Sequence, residues 1–129
     1  MRIHALFAAL VLGTSFSAHA AGDGTLSNNF AACMDRAGGV TAKMIDCMAT
    51  ETKSQDVKLN AAYQRVMATL SPERKKALTE VQRAWLNYRD LKCKFFAAPG
   101  LGTLATVNAN SCFMSMTAER ADELENYDE

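Results

Sequence analysis

The sequence predicts an all-α fold, a small disulfide-stapled helical bundle built on a long antiparallel helix hairpin. Three observations predict it. Apolar residues recur three and four apart along most of the chain, the period of a helix face. Residues that stop and start helices punctuate those stretches at Gly38-Gly39, Ser71-Pro72-Glu73 and Pro99-Gly100. No alternating apolar and polar runs pair with one another, so no sheet is expected.

The chain opens with Met1-Arg2-Ile3-His4, an apolar run from Ala5 to Leu12, and Ala18-His19-Ala20. A basic start, a short apolar run and an Ala-x-Ala site define a secretory signal peptide over 1–20, which places the protein in the periplasm or outside the cell. The run is well short of the ~20 residues that cross a bilayer. The first cysteine is Cys33, so no lipid anchor is expected at the cleavage point. Residues 21–28, rich in Gly, Ser and Asn, read as a flexible leader, and 29–127 as one helical domain.

Within that domain a short helix is expected from Asn29 to Ala37, stopped by Gly38-Gly39. Thr41 suits the N-cap of a long helix from Ala42 to Leu70, which contains neither Gly nor Pro. Ile45, Met48, Thr52, Gln55, Leu59, Ala62, Val66 and Leu70 form its inner stripe, polar in the middle. Ser71 then offers a cap, Pro72 fits the first helical position, and Glu73 favours the positive helix end. A third helix follows to Phe96, and so tight a joint makes the two antiparallel.

Trp85, the only tryptophan, is expected to be the hub, on a face with Leu78, Val81 and Lys92. Counting outward from Ser71 sets Asn60 level with Gln82 and brings Asp56 within about a turn of Arg89. A polar seam of Asp56, Asn60, Gln82 and Arg89 beside Trp85 is therefore expected. Ala97 to Asn108, with Pro99, Gly100 and Gly102, reads as the longest loop. Asn110 or Ser111 would cap a last helix carrying Phe113, Thr117, Arg120 and Leu124.

Cys33, Cys47, Cys93 and Cys112 all lie beyond the leader, and an even count in an exported chain argues for two disulfides. The hairpin gathers all four at one end, which leaves each of the three pairings open. Pairing neighbours closes the shortest loops, whereas Cys47 with Cys93 would clamp the hairpin.

Both histidines, His4 and His19, belong to the expected signal peptide. Without them the chain lacks the commonest general base and metal ligand, so neither an enzyme nor a metal or other cofactor is expected. The 14 basic and 14 acidic residues cancel, which predicts no nucleic-acid binding. The distribution is uneven: Glu119, Asp122, Glu123, Glu125, Asp128 and Glu129 crowd the end against Arg120 alone. Those carboxylates read as a solvated helix face, and Arg74-Lys75-Lys76 as a surface run. Met44 and Met48 stand one turn apart near Cys47, so a thioether copper site is an alternative to core packing.

Cys47, Asp56-x-x-Leu59-Asn60-x-x-Tyr63, Leu78-x-x-x-Gln82-Arg83-Ala84-Trp85-Leu86-x-Tyr88-Arg89-Asp90-x-x-Cys93 and Cys112-x-x-x-x-Thr117-x-x-Arg120-x-x-x-Leu124 together resemble the LprI-like lysozyme inhibitor family. The resemblance runs from about Cys33 to Leu124. It implies a small exported helical protein that binds and inhibits a lysozyme-type muramidase. Trp85, Arg89, Gln82, Asn60, Asp56 and Tyr63 would be fold determinants. The chain differs from the family's namesake in having no cysteine at the expected cleavage site to carry a lipid anchor, and from many relatives in carrying Pro99-Gly100-Leu101-Gly102-Thr103 where they have a Gly-Gly-Ser loop. That stretch, held between Cys93 and Cys112, is the expected contact loop. The alternative is a cell-envelope interaction module without affinity for lysozyme.

Overall fold

The computed structural model describes residues 26–127. The signal peptide expected over 1–20, and the leader up to residue 25, lie outside the described residues. Four helices follow in order: α1 (Asn28–Ala37), α2 (Thr41–Thr69), α3 (Pro72–Phe96) and α4 (Thr103–Glu125). Among the described residues there are no strands.

Ser27 and Asn28, at the end of the expected leader, cap and open α1: Ser27 Oγ accepts the Phe30 N–H at 3.1 Å. Gly38 ends the helix at φ 56°, the left-handed region that glycine enters without steric cost. Val40, not Thr41, precedes α2, and it caps no backbone group with its side chain. The glycine turn has already folded back at that point, with the Val40 N–H on Ala37 O at 3.0 Å, so Thr41 is carried into the first turn. Ser71-Pro72 starts α3 as the sequence implies, with Ser71 Oγ accepting the Arg74 N–H at 3.4 Å.

The inner stripe of α2 is close to the expected one: Met48, Gln55, Leu59, Ala62, Val66 and Leu70 are buried. Their main partner is α4, not α3. Ala62 on α2 and Ala118 and Ala121 on α4 are essentially inaccessible, and side chains that small let two helices approach closely. The core of Leu59, Ala62, Val66, Leu70, Ala121 and Leu124 grows around that contact. Each large aliphatic there contributes about 2 kcal/mol by leaving water.

The organising helix is therefore α4, and Trp85 is not the hub. Trp85 is half-buried and packs with Tyr63, Leu78 and Tyr127 against the edge of the core. The face that α3 turns inward is Leu78, Gln82, Trp85, Arg89 and Cys93, while Val81 and Lys92, expected on it, are exposed. A tryptophan's size predicts burial, but the α2–α4 alanines leave room only for small neighbours at the centre.

α4 also begins earlier than expected, at Thr103. The interval read as a loop from Ala97 to Asn108 is helical from Thr103 onward, so the connection shrinks to residues 97–102. The Asn108–Asn110 run sits inside the helix, where Asn110 Nδ2 donates back to Thr106 O at 2.8 Å.

Candidate functional site

Two disulfides hold the bundle, Cys33–Cys47 between α1 and α2 and Cys93–Cys112 between α3 and α4. The second fixes the hairpin tip on which the expected contact residues lie. α3 runs out at Phe96, and the Ala97 N–H closes its last turn on Lys94 O at 3.1 Å. Gly102 then adopts φ 56° and ψ −134°, a combination closed to residues with a Cβ, and starts α4 without a side-chain cap. Pro99, Gly100, Leu101 and Gly102 form the exposed turn, and Thr103 is the first residue of α4 rather than part of the loop. Behind the disulfide, Met116 Sδ sits 3.8 Å from Cys93 Sγ and 3.9 Å from Cys112 Sγ, sealing the cystine from the core side.

The tip is apolar and basic. Phe95 is 79% exposed, and Phe96, Leu101 and Leu104 are exposed beside it. The Phe95 and Phe96 rings meet edge to face at 5.9 Å. Lys92 and Lys94 flank these rings in the sequence, with no carboxylate between Asp90 and Glu119, and Glu119 lines a surface pocket with Lys92 and Phe96 on the side of the tip away from the turn. A rigid end with exposed aromatics and positive charge is suited to an acidic, partly apolar recess.

The seam residues divide between two places. Asp56 and Asn60 pair with each other on the exposed side of α2, Nδ2 to Oδ2 at 3.3 Å. Gln82 and Arg89 instead serve α4. Gln82 Oε1 accepts from Arg120 Nε at 3.0 Å, and Arg89 Nη1 donates to Thr117 Oγ1 at 3.3 Å. The Arg89 guanidinium lies 5.2 Å from the Trp85 ring and 5.5 Å from the Phe113 ring, and Asp90 Oδ1 accepts from its Nε and Nη2. Tyr63 meets α3 through a 3.2 Å hydrogen bond with Thr79. These contacts position helices.

A buried carboxylate escaped the sequence reading. Glu51 is 3% exposed and receives the Ser27 N–H at 2.9 Å and Ser27 Oγ at 2.6 Å, while Gln55 Nε2 donates to it at 2.7 Å. Burial pushes the carboxyl up, but the Ser27 and Gln55 hydrogen bonds and the Lys58 charge outweigh it and hold the group below its ordinary value of 4.5. The signal was present, since Glu51 falls three after Met48 and four before Gln55 on the inner stripe. It docks the start of α1, where a negative charge also suits the helix dipole.

Met48, Met114 and Met116 are buried in the packing, and Met44 is half-buried. Among the described residues no group of three or more His, Cys, Asp or Glu side chains is placed to hold a metal ion. Three carboxylates of α4 have local partners: Glu123 pairs with Arg120 at 2.7 Å, Glu125 lies 3.9 Å from Arg65, and Asp122 accepts from Asn126. No helix among the described residues is long and apolar enough to cross a membrane.

The described residues form a short helical domain tied by two cystines, which places the chain in the class of small disulfide-stapled helical proteins. Residues 33–124 match the family model described as lysozyme inhibitor LprI, and the chain belongs to that family. It is also similar, 29% identical over 93 residues, to an uncharacterised protein of Rhizobium meliloti (strain 1021). That match covers 60% of this chain and 66% of the relative, a little under two thirds of its length. No solved structure matches the chain.

Proposed function

We propose that this is an exported, non-enzymatic protein that binds and inhibits a lysozyme-type muramidase by inserting the α3–α4 tip into its cleft. The leader-like residues 1–20 support export to the periplasm, and family membership supports the target class. The observation that carries the reading is the tip itself: Phe95, Leu101 and Leu104 exposed next to Lys92 and Lys94, on a turn locked by Cys93–Cys112.

Muramidases cleave with a pair of carboxyl groups lining the cleft, so a basic, apolar wedge is complementary where an acidic one would be repelled. The acidic end of α4 lies at the opposite end of the bundle, where Tyr127 accepts a hydrogen bond from Arg74 beside the α2–α3 turn at 2.6 Å. The basic end is thus free to lead. A locked loop also loses little conformational entropy on binding.

Titration of the disulfide-bonded protein into a muramidase clearing cell walls tests this. Stoichiometric inhibition is expected, lost when Pro99–Thr103 is replaced by a Gly-Ser stretch. The second reading, an envelope interaction module without lysozyme affinity, is favoured by a separate observation, the exposed apolar residues along the length of α3. Full muramidase activity at large excess of the protein would select it.

A further inference from the structure

α3 buries little of itself. Its inner face takes Leu78, Gln82, Trp85, Arg89 and Cys93, yet a second stripe runs beside that face and is exposed throughout: Ala77, Val81, Ala84, Tyr88, Leu91 and Phe95. These positions alternate four and three apart, the heptad spacing of helices that pack along their length. Leu91 is 60% and Tyr88 56% exposed, so the stripe is not a margin of the core. The eighteen helical rises from Ala77 to Phe95 make it about 27 Å long. An apolar strip of that extent on a soluble domain marks a contact surface.

We propose that the occupant is α3 of a second copy of this chain, lying antiparallel about a two-fold axis level with Leu86. The sizes along the stripe carry the argument. The small residues lie in the first half and the large ones in the second. Antiparallel pairing sets Ala77 against Phe95 of the second copy, Val81 against Leu91, and Ala84 against Tyr88, so each layer fills to a similar volume and recurs on the other side of the axis. Parallel pairing would stack Phe95 on Phe95 and leave Ala77 facing Ala77, which is overpacked at one end and hollow at the other.

Charge selects the same arrangement. Glu80 and Lys94 each precede a stripe residue, Val81 and Phe95, on the same flank. In the antiparallel register Glu80 comes alongside Lys94 of the second copy, twice per dimer. In a parallel one Glu80 would face Trp85 of the second copy and meet no opposite charge. The stripe also borders the groove between α3 and α4, lined by Ala77, Val81, Glu123 and Tyr127, which gives a second helix a seat rather than a flat surface. The pairing leaves the 97–102 turn uncovered and does not rest on the inhibitory reading, but it covers Phe95 and Lys94, so the dimer and the cleft-bound tip exclude each other and the dimer must part before the tip can insert.

Sedimentation equilibrium of the disulfide-bonded protein over a concentration series tests the proposal. A monomer–dimer equilibrium is expected, weakened at least tenfold by Leu91→Glu, an exposed position where the circular dichroism and melting temperature should be unchanged. Glu80→Lys and Lys94→Glu should each weaken association several-fold, and the combined exchange should restore it. A monomer at every concentration overturns the proposal and leaves the stripe to a different partner. A dimer indifferent to Leu91→Glu, or a combined exchange no tighter than the single changes, overturns it equally.

Discussion

Arg120 on α4 donates its Nε–H to Gln82 Oε1 on α3 across 3.0 Å, and both side chains are buried. The same guanidinium pairs through Nη1 with Glu123 at 2.7 Å and lies 5.9 Å from the Trp85 ring, while Nη2 is buried with no hydrogen-bond partner. Beside the Cys93–Cys112 disulfide and the packing of Leu78 and Trp85, α3 is thus attached to the α2–α4 core through buried polar groups, and such attachments are costly to break halfway.

Gln82→Leu should therefore destabilise the fold by about 2–4 kcal/mol, because it strips a hydrogen bond from a buried cation. Adding Arg120→Met should recover part of that loss, since removing both partners leaves no uncompensated charge. Denaturant titrations of the single and double variants check the order. A double variant as unstable as the sum of the singles would contradict it.

The core's location makes a second prediction. Leu124→Ala removes a side chain that is 3% exposed at the centre of the α2–α4 contact and should cost about 2–5 kcal/mol. Trp85→Phe, at the half-buried edge, should cost less. The reverse order in thermal melts would return the tryptophan to the hub.

Glu51 predicts a pH dependence with a definite sign. Its carboxyl is held below 4.5 in the fold, so the stability it confers is complete above that value and is lost as pH falls through the lower folded value. Glu51→Gln should flatten that acid limb and Ser27→Ala should shallow it. Melting temperatures that fall equally steeply in all three proteins below pH 4.5 would rule out this carboxylate as the source.

The disulfides should differ in what they release. Cys33–Cys47 joins α1 to α2 alone, whereas Cys93–Cys112 joins α3 to α4 and fixes the tip. Replacing Cys33 and Cys47 by Ser should cost up to about 3 kcal/mol. In hydrogen exchange the loss of protection should be confined to α1. Replacing Cys93 and Cys112 should instead loosen the ends of α3 and α4. Protection lost throughout the bundle in the first variant would contradict the division.

The helices and the α2 stripe were legible because local chemistry fixes them: a glycine stop at Gly38, a Ser71-Pro72 start, and apolar residues at helical spacing. What was not legible depended on which helix meets which. The small residues Ala62, Ala118 and Ala121 set the closest contact, yet alanine gives no periodic signal as strong as Trp85 does. The start of α4 was hidden because Gly102 begins it without a side-chain cap and Asn108–Asn110 resembles a turn. At the candidate site, the turn at Pro99–Gly102 could be read from its glycines and proline. The exposure of Phe95, Leu101 and Leu104 could not, since apolar residues in the last and first turns of helices and between them are ordinarily expected to face inward.

The central claim is that the α3–α4 tip blocks a muramidase cleft. The most direct measurement is the rate of cell-wall clearance as the disulfide-bonded protein and a Phe95→Glu, Leu101→Glu variant are titrated into the enzyme. The account predicts full inhibition near equimolar ratio by the native protein and at least a tenfold loss of potency in the variant, with its melting temperature unchanged. Equal potency of the two, or clearance unaffected by excess native protein, would contradict it.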